Sequence, residues 1–342
     1  MNVLVTGGTG FTGSALVLRL LDAGHSVVSL DHQPGLDAGK LRARGARLVT
    51  GSVTDAPLMQ RVTQGVDFVF HLAAAFRELD VPDTHYENVN VDGTRNALEA
   101  ALQNGVSRFV YCSTCGVHGN VAHPPADEDA PIAPADYYQR TKYEAEPIVR
   151  AYGKRGMSTV ILRPAAIYGP GDPERFFLLF KRVAAGTFPM FGNGRTLYHP
   201  LYIDNLVDAF MLCLDPTRGE GGTYLIADQD YCSIEELVQE VAKSMGREPA
   251  IRHYPIGPLI VAGHLCESIC KPIGIRPPIF PRRVDWYRQN RAFDIGRARR
   301  ELGYAPTVDL REGLRRTAQW YVDTGMLPEG TLAHEPHLSL QS

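Results

Sequence analysis

The chain is 342 residues long with 44% apolar and 21% charged side chains, enough for a sizeable core and too apolar for a disordered chain. A net charge of −3 and no long basic run exclude nucleic acid as the main partner and speak against an anionic membrane. No secretory signal and no apolar run of about 18 residues is visible, so a cytoplasmic chain with no integral membrane segment is expected.

Residues 2–6 read as a first strand, 11–23 as an amphipathic helix closed by Gly24, and 26–30 as a second strand. Strands follow at 47–50 and 67–71. A long helical pattern at 86–103 ends on Asn104 and Gly105. A fifth strand at 108–112, a helix at 137–152 and a sixth strand at 159–162 complete the alternation. Strands alternating with helices imply a parallel sheet with right-handed crossovers. The strands lack clean polar alternation, the pattern of strands buried on both faces. The second half carries helices at 174–185, 203–213, 233–245, 259–270 and 310–322 between Pro- and Gly-rich connections. The expectation is an α/β chain: a doubly wound parallel sheet over 1–165, a smaller, mainly helical substrate lobe over 166–326, and a loose tail over 327–342.

Gly7, Gly10 and Gly13 follow strand one directly and open helix one. Gly7 permits the tight turn, Gly10 a close approach of backbone to a pyrophosphate, and Gly13 close helix packing. The N–H groups of the helix start, at Phe11, Thr12 and Gly13, face the anion with the help of the helix dipole. Asp31 closes strand two, where a carboxylate accepts hydrogen bonds from an adenosine ribose and repels a 2′-phosphate. NAD is therefore expected over NADP.

Tyr138 and Lys142 stand four apart on one predicted helix and share a face. A tyrosine with a pKa of about 10 is a poor base, and a nearby cation favours its phenolate. A chance Tyr/Lys pair on a helix is the plain alternative. Tyr137 is a competing phenol, but Thr141 stands four residues after it. Thr114 follows strand five, whose carboxyl end borders the ligand crevice of such sheets. Cys112 and Cys115 form a C-x-x-C that reads as two small residues at a strand end. No second cluster supports a metal.

With these residues in place, the chain resembles the extended short-chain dehydrogenase/reductases, also called NAD-dependent epimerase/dehydratases, over residues 1–322. The resemblance implies a Rossmann-type fold with Thr114, Tyr138 and Lys142 as catalytic residues, and Lys142 bonding the nicotinamide ribose. It implies that Leu72, Ala73 and Ala74 line the cofactor, with Asn90 and with Ala165 from the Arg163-Pro164-Ala165-Ala166 segment. One departure stands after strand three, where the family often has Gly-Asp and this chain has Gly51-Ser52-Val53. Ser52 and Val53 are then the expected adenine contacts, without a charge. Relatives commonly dimerise through the helices at 86–103 and 137–152, so a homodimer is expected.

For the substrate, a small molecule, Ala166 stands where nucleotide-sugar epimerases usually carry Asn. Tyr202-Ile203-Asp204-Asn205 replaces the frequent Tyr-Val-Asp-Asp. Both are more similar to the 3β-hydroxysteroid and sterol-carboxylate dehydrogenase branch, as are the apolar helix at 259–270 and Arg276-Pro277-Pro278. That helix is read as a core helix, a pocket wall or a peripheral membrane contact. Arg195 in a Gly-rich turn suits a diphosphate and keeps a sugar nucleotide open. His118 stands where the family's motif has Tyr and is a further substrate candidate. The leading expectation is NAD-dependent oxidation of a secondary alcohol or the reverse reduction. The alternatives are a nucleotide-sugar epimerase or dehydratase with retained NAD, and a non-catalytic dinucleotide sensor.

Overall fold

A computed structural model describes residues 1–76, 81–172, 174–270 and 284–332. Arg276, Pro277, Pro278 and the tail from 333 onward lie outside the described residues. The first elements are β1 (Asn2–Thr6), α1 (Phe11–Asp22), β2 (Ser26–Asp31), α2 (Ala38–Ala43), β3 (Arg47–Thr50), α3 (Ala56–Val62) and β4 (Phe68–His71). Then α4 (Asp83–Tyr86), a π-helical turn (Glu87–Asp92) and α5 (Gly93–Gln103) run on continuously, where the sequence pattern predicts one helix. After β5 (Arg108–Cys112) and a 3₁₀ turn (Cys115–His118) come α6 (Tyr137–Lys154), β6 (Ser158–Pro164), β7 (Ala166–Tyr168) and α7 (Arg175–Ala184). The next strands are β8 (Thr187–Phe191), β9 (Leu197–Tyr198) and β10 (Pro200–Tyr202), then α8 (Ile203–Leu212), β11 (Thr223–Ile226) and β12 (Cys232–Ser233). The last are α9 (Ile234–Ser244), β13 (Ala250–Tyr254), α10 (Ile256–Cys270), α11 (Gly296–Leu302) and α12 (Leu310–Asp323).

The main sheet has seven parallel strands in the order β11-β6-β5-β4-β1-β2-β3. The order reverses between β1 and β4, the switch point at which such sheets open a crevice. Val3, Leu4 and Val5 of β1, and Val69 and Phe70 of β4, are wholly buried. The absence of polar alternation thus reflects helices on both faces.

The chain divides into two compact units, and the division corrects the expected boundaries. The sheet unit holds residues 1–167 together with 199–231 and 289–307, and the second unit holds 168–198, 232–288 and 308–342. The 199–231 segment belongs to the sheet because β11 pairs with β6, a seventh strand that the sequence reading did not find. That strand is only four residues after Gly221-Gly222, too short for a periodicity signal. The buried guanidinium of Arg108, at the start of β5, adds a second tie. It donates to the carbonyls of Cys213 (2.9 Å), Asp215 (2.5 Å) and Arg218 (2.5 Å). Cys213 caps α8, so the cation also meets the negative end of that helix.

In the second unit, β13 pairs in parallel with β8. Phe176 stacks on Tyr168 at 4.7 Å, and Phe177 and Phe180 face Tyr321 of α12. Of α10, only Gly263 is buried; Val261, Leu265 and Ile269 are 58%, 58% and 63% exposed. Of the expected loose tail, only residues 327–332 are described. Leu327 and Thr331 are buried, and Arg247 donates to the carbonyls of Gly330 and Thr331.

Replacing Arg108 by Leu strands three carbonyls in an apolar setting. We expect a loss of about 3 kcal/mol in stability, read as a lower Tm by circular dichroism. An unchanged Tm would show that the carbonyls find other partners.

Candidate active site

The elements that carry the expected cofactor and catalytic residues belong to the sheet unit. Gly7 sits at φ +69°, and a Cβ there would lie 2.8 Å from the Ala73 nitrogen. A Cβ at Gly13 would lie 2.0 Å from the Gly7 carbonyl oxygen. Both positions therefore require glycine for the turn and for the helix to close on it. Gly10 differs: it is exposed and a Cβ there would meet only the Gly7 oxygen, at 3.4 Å. It caps α1 without any side-chain bond, and the first turn holds no acid. The helix start thus keeps an open approach for a phosphate, and the residues present fit a dinucleotide.

Asp31 does more than the sequence suggests. Its Oδ2 accepts from the Thr9 backbone nitrogen at 3.0 Å and hydroxyl at 2.9 Å, and its Oδ1 accepts from the His32 nitrogen at 2.8 Å. The carboxylate expected at the ribose also braces the cradle. The Thr9 hydroxyl donates to it while accepting from Gly35.

The β4 segment is pinned by a histidine that sequence reasoning left without a role. Thr94 Oγ1 donates to the Asn90 carbonyl at 2.6 Å and so accepts from His71 Nε2 at 3.0 Å. His71 Nδ1 then accepts from the Thr6 hydroxyl at 2.8 Å, whose oxygen accepts from Ala73 N at 3.3 Å. Every proton in the chain has one place. The ring is neutral, and burial followed by the charge of Lys142 lowers its pKa to about 3. Leu72, Ala73 and Ala74, the expected cofactor wall, are half-buried beside this chain. Asn90 was expected at the cofactor, but it is wholly enclosed. Its amide exchanges bonds with Ala75 N (2.8 Å) and O (3.3 Å) and donates to Thr141 Oγ1 at 2.9 Å. It positions the β4 loop and α6 from within the π-helical turn.

Tyr138 and Lys142 lie one turn apart on α6. Tyr138 is half-buried with the Phe76 ring at 4.7 Å, and Lys142 is 1% exposed. The Lys142 ammonium sits 4.3 Å over the Tyr111 ring, a cation–π contact. The Tyr111 hydroxyl donates to the Lys142 carbonyl at 3.1 Å. Tyr137 is removed from competition, because its hydroxyl donates to Glu87, whose carboxylate pushes the phenol pKa up. Thr114 follows β5 and caps the 3₁₀ turn, accepting from Gly116 N at 3.0 Å, so its proton is left to donate. A Cβ at Gly116 would lie 3.0 Å from Gln139 Cγ, which puts the Thr114 turn directly against α6 beside Tyr138.

Beneath these residues lies a buried polar cluster. Arg163 of β6 donates to Glu146 of α6 from Nε at 2.9 Å and Nη2 at 2.7 Å. Ser113, next to Thr114, donates to the same carboxylate at 2.7 Å. Burial raises the Glu146 pKa, but the bonds and charge of Arg163 outweigh it and hold the carboxyl low. Arg163 Nη1 donates to His118 Nε2 at 3.0 Å, which makes His118 Nδ1 the donor to the Pro131 carbonyl at 3.2 Å. His118 is buried with both ring nitrogens committed, and burial and Arg163 lower its pKa. The residue expected at the substrate thus has both ring nitrogens taken up inside this cluster.

Ser52 and Val53 follow β3; Val53 is buried and Ser52 half-buried. Ala165 is half-buried and Ala166 buried. Arg195 is exposed in a turn of the second unit, where its own nitrogen donates to Asn193 Oδ1. Burial pushes the Cys112 thiol up to about 11, and Cys115 donates to the Arg163 carbonyl at 2.9 Å. Neither is a thiolate at neutral pH. Among the described residues no cluster suits a metal.

Burial lowers the Lys142 pKa from 10.5 to about 8 against the upward pull of Cys112 and Glu146. Keeping the ammonium charged at neutral pH costs roughly 3 kcal/mol of stability. Between these two values the unfolded chain holds more protons, so wild-type stability rises with pH across that window. Lys142→Met should unfold several degrees higher than wild type at neutral pH, with the gap closing by about pH 10. Thermal unfolding at both pH values checks it, and a Met variant less stable at neutral pH would refute the cost.

Residues 3–227 match the NAD dependent epimerase/dehydratase family. The chain is 33% identical to a 3-beta-hydroxysteroid dehydrogenase of Mycolicibacterium neoaurum, over 94% of this chain and 91% of that protein. It is 31% identical to a 2-alkyl-3-oxoalkanoate reductase of Stenotrophomonas maltophilia, over 92% and 98%. Among solved structures, DesIV of Streptomyces venezuelae, a dTDP-glucose 4,6-dehydratase with NAD and TYD bound, superposes with a TM-score of 0.77. It is 27% identical, with 96% of this chain and 99% of that one covered. The seven-stranded parallel sheet agrees with these likenesses, and the chain belongs to the NAD dependent epimerase/dehydratase family.

Proposed function

We propose that this enzyme oxidises a secondary alcohol on an apolar skeleton, or reduces the corresponding ketone, in the manner of a 3β-hydroxysteroid dehydrogenase. The observation that carries the reading is the buried Lys142 ammonium one turn from Tyr138, with the competing Tyr137 tied to Glu87. Tyr138 accepts the hydroxyl proton, and Lys142 favours the phenolate that does so. Thr114 donates to the reacting oxygen and orients it. NAD, held by Gly7, Gly10, Gly13 and Asp31, supplies the hydride acceptor. Two relatives support the apolar substrate: one is named for a steroid 3β-hydroxyl, the other for a 3-oxo group beside an alkyl chain. Ala166, in place of the usual Asn, supports it against a sugar nucleotide.

The same reading carries a homodimer through the neighbouring helices α5 and α6, and a cytoplasmic location. No described helix is long and apolar enough to cross a membrane. A peripheral contact through α10 belongs to the reading as well. Val261, Leu265 and Ile269 recur every fourth residue on its exposed face, and its one charged residue, Glu267, is half-buried off that stripe.

Free NADH released from 3β-hydroxysteroids, and not from nucleotide sugars, is the expected result, followed by absorbance. A changed sugar product without free NADH would sink the reading in favour of an epimerase. Tyr138→Phe should keep dinucleotide binding and lose activity by about 10²-fold or more; undiminished turnover would remove Tyr138 from its role. Co-sedimentation with phosphatidylcholine vesicles should be lost in a Val261→Glu/Leu265→Glu double variant. No sedimentation of the wild type would remove the membrane contact.

A further inference from the structure

The end of β3, Gly51-Ser52-Val53, is where this chain departs from the family pattern. The crevice runs over the carboxyl ends of the strands. Thr114, Tyr138 and Lys142 lie on the β4–β5 side of the glycine turn, so the adenosine end of a dinucleotide lies on the other side, past Asp31 of β2 toward β3. There a cleft of about 350 Å3 opens between the turn after β3 and the π-helical turn before α5. Ser52 and Thr54 form one wall, and His85, Asn88, Val89, Asp92 and Asn96 the other.

The Ser52 hydroxyl on this cleft is tied into its own turn. Its Oγ accepts from the Thr54 nitrogen at 3.1 Å and shares a hydrogen bond with the Thr54 hydroxyl at 2.8 Å. The turn is rigid, because Asn96 donates to the carbonyls of Val53 (3.2 Å) and Thr54 (3.3 Å). Gly93 closes on it so tightly that a Cβ would lie 2.5 Å from Val53 Cγ2. Directly before Gly93 stands Asp92. It is exposed, it is the only carboxylate lining the cleft, and among the described residues it has no hydrogen-bond or ion-pair partner.

We propose that Asp92, from the opposite wall of the cleft, takes the place of the absent carboxylate after β3 and accepts a hydrogen bond from the adenine 6-amino group. The assignment rests on the NAD reading and deepens it. A carboxylate accepts from an amine and repels a carbonyl oxygen in the same place. Asp92 therefore selects adenine over hypoxanthine.

The test is calorimetric binding of NAD and of nicotinamide hypoxanthine dinucleotide to the full chain, with no substrate present. Wild type should bind NAD tighter by about tenfold or more, the worth of one hydrogen bond to a charged group. Asp92→Ala should bring the ratio below about threefold by weakening NAD. Asp92→Asn should also level it, because an amide can donate to the hypoxanthine oxygen as well as accept from the amine. Equal wild-type affinities, or an undiminished ratio in Asp92→Ala, would overturn the assignment while the NAD reading stands. Failure of wild type to bind either nucleotide would overturn the NAD reading and the assignment together.

Discussion

The buried pair of Glu146 and Arg163 is the interaction on which the site's geometry depends. Neither side chain reaches water, and both belong to elements that frame the reaction centre. Glu146 lies one turn after Lys142 on α6. Arg163 ends β6, and Ser113 brings the end of β5 to the same carboxylate. Three elements are thereby held at one point. Isolating two charges from water is costly, and losing one partner of such a pair costs about 3–5 kcal/mol. That penalty makes alternative registers of α6 against β5 and β6 expensive. Thr114, one residue beyond Ser113, and Lys142, one turn before Glu146, inherit their placement from it.

The cluster spreads outward by the same logic. Arg163 also reaches His118 and the carbonyl of Glu128, whose own carboxylate accepts from Leu225 of β11 at 2.9 Å. A polar thread thus runs from the reaction centre to the edge of the sheet. Two of its neighbours are histidines held neutral: His118, and His199, which donates to the Asp228 carbonyl and accepts from Phe293 N. Burial takes His199 to about 4. Neither ring gains a proton across the physiological range, so they serve as fixed donors and acceptors rather than as switches.

Much of this was legible in the sequence because the motifs are local. The glycine cradle, Asp31, and the Tyr138/Lys142 spacing each lie within one strand–turn–helix or one helical turn, so residue order determines their geometry. The six strands read from periodicity are present in the main sheet; its seventh, β11, and the short strands β7 to β10, β12 and β13 outside it were missed, none longer than five residues. What was not legible depends on partners distant in the chain. His71 joins residues 6, 94 and 90; Arg108 reaches across more than a hundred residues to the cap of α8. Asn90 was placed at the cofactor by family pattern, yet its bonds to Ala75 and Thr141 could be seen only once the π-helical turn had been built. His118 is a second case: its place next to a motif was visible in the sequence, its bonds to Arg163 and the Pro131 carbonyl were not.

The sheet unit is assembled from three separate stretches of chain, and this interleaving constrains how the protein forms. Its last strand, β11, is made some sixty residues after the strand it pairs with. Until that stretch emerges during synthesis, β6 is an open edge with unpaired amides, a template for pairing with other chains. Arg108 meanwhile waits without its carbonyls. The nascent chain therefore has a window of aggregation risk that closes late, and long-range parallel pairing is slow to form. A fragment that stops at the end of the motif-rich half would remain in that window permanently.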